Sequence, residues 1–172
     1  MNTTNQDRSI LSRLFGARET GLVLIILTLF IIMSFASPHF LTWTNMRAMT
    51  MAFSVEAIVV VGMTILLISG GIDLSVGAGA GLASTVGAIA LVQWGVHPYL
   101  VIPFTLVFGF LLGSINGVFV AWLRLNPFIV TLATWEIFAG LTLVITKGYP
   151  IRPLGEQFAV FGKGELFGLP VP

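Results

Sequence analysis

From Leu74 to Leu123 the chain carries no aspartate, glutamate, lysine or arginine. Fifty residues without a formal charge cannot form the surface of a water-soluble domain, where about a quarter of all residues are charged. They suffice for two bilayer-spanning helices of about 20 residues each plus a turn. The rest of the chain follows the same pattern: of 172 residues, 56% are hydrophobic and 9% charged. The fold class read from this is an all-α integral membrane protein with about five transmembrane helices. A net charge of +1 leaves no basic surface for nucleic acid and no acidic tail. Cysteine is absent, which excludes disulfides, thiolate metal sites and cysteine nucleophiles. His39 and His97 fall in separate predicted loops, so no metal-ligand cluster and no cofactor are expected.

Residues 1–20 form a polar tail in which Arg8, Arg13 and Arg18 face Asp7 and Glu19. Basic residues beside a first span predict a cytoplasmic N-terminus. A basic run before an apolar run also fits a signal peptide, and Ser34-Phe35-Ala36 matches a small-x-small cleavage site. The length of the apolar run and the further spans behind it argue against cleavage. The transmembrane region is read as 21–146, with spans at about 21–37, 49–69, 76–92, 100–123 and 128–146. Pro38–Asn45 reads as a loop, and Gln93–Tyr99 as a turn with two interfacial aromatics, Trp94 and Tyr99. Arg124 to Pro127 breaks the pattern before the fifth segment. Residues 147–172, rich in proline and glycine, read as an extracytoplasmic loop, with Phe158 and Phe161 along the membrane surface. Lys147, Arg152 and Lys163 then lie outside, against the positive-inside trend; the N-terminal arginines outweigh them in this assignment.

The stretch Ile68–Gly81, ISGGIDLSVGAGAG, organises the functional reading. An apolar segment stops at Gly70-Gly71, Asp73 follows, and a span opening on small residues begins. Asp73 is read as a cap on the first amides of the third span, where its charge also suits the helix dipole. Such a cap is compatible with a hinge built from Gly70, Gly71, Asp73, Ser75 and Gly77, because broken membrane helices occur where backbone lines a cavity. Glu56 and Glu136 interrupt the second and fifth spans. An ionised acid there costs about 2.5 kcal/mol or more near a helix centre. Glu56 therefore faces protein or water, is protonated, or reaches the interface towards Arg47. Asn116 is expected to bond a neighbouring helix, with direct solute contact as the alternative. Glu56, Asn116 and Glu136 are the candidate polar groups of a pathway. Small residues recur at Gly77, Gly81, Ser84 and Ala88, and at Gly109, Gly113 and Gly117; such stripes drive close helix packing in lipid, expected within this chain, with a dimer interface as the alternative.

No enzyme signature is present: there is no phosphate-binding G-x-x-x-x-G-K-[ST], no G-x-S-x-G and no H-E-x-x-H. The acids Glu56, Asp73 and Glu136 lie on different segments and imply no catalytic pair. Three readings remain: a transporter subunit energised by another chain, a carrier coupled to an ion gradient through those acids, or a non-transporting membrane scaffold.

At Gly70–Gly77, GGIDLSVG, the chain resembles the ribose/xylose/galactose-type permease family of bacterial ABC importers. The resemblance extends through Asn116-Gly117 and VFVAWLRLNPFIVTLAT to Thr134, through Phe138-Ala139-Gly140-Leu141 and Thr146–Ile151, and through Phe167–Pro172. It marks Asn126, Pro127 and Thr131 as a second motif. It implies a membrane subunit without catalytic residues, paired with a second permease subunit in the bacterial plasma (inner) membrane. ATP hydrolysis is then expected on a separate ATP-binding cassette subunit, with a periplasmic or lipid-anchored binding protein delivering the sugar. Members of that family are longer, with further membrane helices. The expectation is therefore the N-terminal half of an ABC-importer permease fold, a fragment that does not transport alone.

Overall fold

A computed structural model describes residues 18–155, 165–166 and 169–170. Helices α1 (Arg18–Ala36), α2 (Trp43–Ile68), α3 (Val76–Val92), α4 (Pro98–Gly117) and α5 (Pro127–Thr146) follow in order, with a π-helical turn at Val118–Trp122. A two-residue hairpin, β1 (Glu165–Leu166) and β2 (Leu169–Pro170), pairs antiparallel with Glu165 opposite Pro170. Contacts divide the chain into two compact units, Met1–Thr50 and Met51–Pro172.

Three stretches are long and apolar enough to cross a membrane: Trp43–Ile68, Pro98–Trp122 and Pro127–Thr146. Two apolar helices are shorter, Thr20–Ala36 and Val76–Val92. At 1.5 Å per residue α3 is about 25 Å long, less than the hydrocarbon core of about 30 Å. A short helix is the consequence of starting it after an internal break.

The second span begins at Trp43 and not at 49, and takes Trp43 and Asn45 out of the expected loop. The cause is Thr42, whose hydroxyl accepts the Asn45 amide at 3.4 Å and donates to the His39 carbonyl at 2.7 Å. The fourth span starts at Pro98, where a proline at the first helical position loses no bond. The expected placement of Phe158 and Phe161, and of the tail with Arg8 and Arg13, lies outside the described residues.

Several hydroxyl groups in the helices are absorbed locally. Ser34, Thr64, Ser114 and Thr142 each donate to the carbonyl four residues back at 2.7–2.8 Å. Polar side chains satisfied within their own helix can sit at membrane depth.

The core of the second unit lies where α3 meets α4 and α5. Leu82, Ala83, Leu112 and Phe138 form its buried centre, flanked by Ala78, Val86 and Phe108. The glycines that permit this approach are not the expected ones. A Cβ on Gly79 would lie 3.7 Å from the Phe138 ring, and one on Gly87 would meet Thr105, whose Cβ is at 3.4 Å. Gly77, Gly81, Gly113 and Gly117 are exposed with nothing within 4 Å of a Cβ; only Gly109, with Ala83 Cβ at 3.8 Å, touches the core. Within this unit the close helix contacts of α3 use a different phase from the Gly77–Gly81 stripe. Helix α3 carries small residues on both faces, and the face containing Leu82 turned inward to meet Phe138 and Phe108.

Candidate functional site

The break between α2 and α3 is built from its two glycines. The Gly71 amide donates to the Leu66 carbonyl and the Gly70 amide to Leu67, both at 3.0 Å. This is the Schellman closure of a helix, and it sets Gly70 at φ +83°, a left-handed conformation open to glycine. The chain then turns away from the α2 axis, and Ile72, Asp73 and Leu74 cross to the head of α3.

Asp73 does not cap the amides of the first turn of α3, as the sequence suggested. The helix begins at Val76 with Ser75 at its N-cap position, and Asp73 stands two residues further back. Its Oδ1 accepts the Ser75 amide at 2.7 Å and the Ser75 hydroxyl at 2.6 Å, closing an Asx turn. Ser75 is buried at 3% exposure and Asn116 at 4%, and Asn116 Nδ2 donates to Ser75 Oγ at 2.7 Å. One serine proton fixes the direction of this relay. It goes to the carboxylate, so the serine oxygen must accept, and Asn116 must present its NH2. The amide oxygen of Asn116 is left buried with no partner among the described residues.

On the far side, α5 starts from a second turn. Asn126 caps it, Oδ1 accepting the Phe128 amide at 2.9 Å, with Pro127 at the first helical position. Arg124 just upstream is left-handed at φ 54°. Thr131 is buried at 2% exposure; its hydroxyl donates to the Pro127 carbonyl at 2.8 Å and stands 3.5 Å from the Ile72 carbonyl.

These pieces meet. Gly70, Gly71, Asp73, Asn116, Pro127 and Thr131 line one cavity of about 400 Å³, together with Gly113 and Gly117. A second cavity, about 230 Å³, reaches Asp73 and Ser75 from the side of Gly79, Gly109 and Phe138. The two motifs, far apart in sequence, thus share one largely apolar hollow that Asp73, Asn116 and Thr131 reach, and Gly113 and Gly117 line it. Glu56 and Glu136 do not line either cavity. Gly77 and Gly81 lie elsewhere on α3. The expected bond from Asn116 to a neighbouring helix is present, made to Ser75 at the head of α3; sequence reasoning did not pair these two residues and missed the role of Thr105, because nothing local to either position names its partner.

Among the described residues no group of three or more histidine, cysteine or acidic side chains is gathered for a metal. The arrangement holds backbone in place and offers a carboxylate, amide and hydroxyl to a small hollow. It is suited to positioning and binding.

A family model described as the permease component of branched-chain amino acid transport systems matches residues 45–161. The chain is 41% identical to the ribose import permease protein of Bacillus subtilis, over 90% of this chain and 48% of that protein. It is 39% identical to the D-allose transport system permease protein of Escherichia coli, over 81% of this chain and 43% of the relative. With the xylose transport system permease protein of Haemophilus influenzae the identity is 33%, over 83% and 39%. The chain spans about half the length of the curated relatives it matches. No solved structure matches it.

Proposed function

This chain belongs to the family of permease components described for branched-chain amino acid transport systems, and from that premise we propose that it is a membrane subunit of an ATP-driven bacterial importer for a sugar. A sugar is favoured over an amino acid because relatives that it matches over most of its length are named for ribose, allose and xylose. The single structural observation that carries a transport role is the hollow at a broken membrane helix, apolar for the most part and reached by the side chains of Asp73, Asn116 and Thr131. There the Gly70–Ser75 segment, Asn116 and the head of α5 converge. Irregular backbone at membrane depth is tolerated where it lines a cavity, and helices hinged at such a break can rock around it.

In this reading Gly70, Gly71, Asp73 and Ser75 form the hinge, and Asn126, Pro127 and Thr131 form the wall it moves against. The subunit works with an ATP-hydrolysing subunit, a solute-binding protein and a second permease subunit. It sits in the bacterial plasma membrane with its N-terminal tail, bearing Arg8, Arg13 and Arg18, in the cytoplasm. ATP binding and hydrolysis on the partner drive alternating access; the permease itself performs no chemistry.

The test deletes the gene in the organism that carries it and measures uptake of labelled ribose, allose and xylose. Deletion is expected to abolish uptake of one of these, and that uptake in the parent strain is expected to survive a proton uncoupler and to fail on ATP depletion. Uptake that collapses with the proton gradient would instead identify an ion-coupled carrier. Unchanged uptake of every sugar would leave the scaffold reading.

A further inference from the structure

The hydrogen bonds around the helix break fix what the hollow can offer a solute. Both bonds that Asp73 accepts use Oδ1, and its second carboxylate oxygen makes none among the described residues. Asn116 is 4% exposed, yet its Oδ1 has no partner there either. Ser69 donates its hydroxyl proton to the Leu66 carbonyl at 2.7 Å, and Thr131 donates its own to the Pro127 carbonyl at 2.8 Å. With their protons committed to backbone, these hydroxyls have lone pairs left to offer. All four residues line the cavity of about 400 Å³. Its polar side chains therefore present acceptors: a carboxylate oxygen, an amide oxygen and two hydroxyl oxygens. No lysine, arginine or histidine lines it.

A buried amide oxygen without a donor is costly and marks a place where a partner is missing. The partner must bring donors. A bare cation is a poor match, because it gathers about six oxygens closely around itself, and this hollow is wide and largely apolar. A mostly apolar cavity of this size with a few placed polar groups is the usual form of a small-molecule site. We infer that the hollow is the solute site of the subunit and takes an uncharged monosaccharide, whose hydroxyls donate to Asp73, Asn116 and Thr131 while the apolar lining covers its C–H faces. The inference rests on the sugar-import reading and adds to it a place and a selection rule. Sugar acids, sugar phosphates and amino acids are rejected, since their anionic group would stand near Asp73 with no cation to receive it. Asn116 Oδ1 lies beneath the surface of the hollow, so a sugar hydroxyl meets it once the Gly70–Gly71 segment shifts. An acceptor paired only in the shifted state gives the sugar a higher affinity for that state, which links solute to hinge.

The test uses the full-length protein in everted membrane vesicles, free of any solute-binding protein. The sequence has no cysteine, and at Gly113, on the wall of the hollow, a Cβ meets nothing within 4 Å. Gly113→Cys places a thiol there, and Gln93→Cys, exposed and outside the hollow, is the reference. Modification of each thiol by N-ethylmaleimide is timed by mass spectrometry of its peptide. Of ribose, allose and xylose, the one whose uptake needs the gene should slow modification at Gly113→Cys in a saturable way and leave Gln93→Cys unchanged. Its aldonic acid and valine should have no effect. Adding Thr131→Val or Asn116→Leu should raise the half-protecting sugar concentration about fivefold, the equivalent of one ordinary hydrogen bond. Thr131→Ser, which keeps the oxygen, should restore it. Variants are compared at wild-type membrane levels. Equal protection by the aldonic acid would overturn the selection rule. Slowing by sodium in place of choline, without sugar, would give the hollow to a cation. An unreactive Gly113→Cys, or no protection by a sugar whose uptake needs the gene, would overturn the site while leaving the import reading intact. If uptake of none of the three sugars needs the gene, the import reading falls and this inference with it.

Discussion

Neighbouring glycines at the helix break should respond to substitution for different reasons. At Gly70, φ is +83° and a Cβ would meet nothing within 4 Å. The whole cost of Gly70→Ala is therefore conformational, about 1–2 kcal/mol for an L-residue held left-handed. Gly70→Asn should cost less, since asparagine tolerates that region, and Gly70→Val more. Gly71 has no such backbone constraint, but a Cβ there would lie 3.1 Å from Leu66 Cδ1 and 3.3 Å from Cγ. Gly71→Ala is thus a packing change against one side chain, and shortening Leu66 to alanine should remove its penalty. The assay is reversible unfolding in mixed micelles, followed by tryptophan fluorescence, for each variant and for the Gly71→Ala/Leu66→Ala pair. Equal costs for Gly70→Asn and Gly70→Val would refute the left-handed assignment. Additive effects in the Gly71–Leu66 cycle would refute the contact.

Further outcomes follow from the same geometry. Ser75→Ala and Asn116→Leu should couple by about 1 kcal/mol in a double-mutant cycle, within the range found for hydrogen bonds between membrane helices; additivity would deny the relay. Removing the α5 cap with Asn126→Ala should cost about 1 kcal/mol in the same unfolding assay, and Asn126→Asp should restore most of it. Gly87→Val should separate α3 from α4, with Thr105→Ala partly rescuing it, whereas Gly81→Val should leave the α3–α4 contact intact. That contact can be read by cross-linking cysteines placed at Ala83 and Gly109, and equal losses for both valines would contradict the observed helix phase.

Much of the architecture was legible in the sequence because lipid imposes a simple rule: an apolar run of sufficient length becomes a helix. The five segments, the break at Gly70-Gly71 and the stop at Asn126-Pro127 all come from that rule plus glycine and proline chemistry. What the rule does not supply is rotation about each helix axis. In water the polar face of a helix points outward and fixes the phase. In α3 both faces are apolar and small, so the Gly77–Gly81 stripe looked as suitable for packing as Gly79 and Gly87. The choice was made by distant partners, Phe138 on α5 and Thr105 on α4. The same limitation applied at Asp73: an acid before an apolar run reads as a cap. Its actual partner, Ser75, lies two residues on and is itself held by Asn116, forty-one residues away. The start of α2 was misplaced for a smaller reason, the capping geometry of Thr42.

Asp73 is the point through which the break, the head of α3 and Asn116 are joined, so its removal tests the central claim most directly. The measurement is uptake of the sugar whose import is lost on gene deletion, in cells carrying Asp73→Ala at membrane levels equal to wild type. The account predicts uptake at background with insertion unchanged. Uptake at the wild-type rate would contradict a hinge role and leave Asp73 as no more than a structural turn before α3.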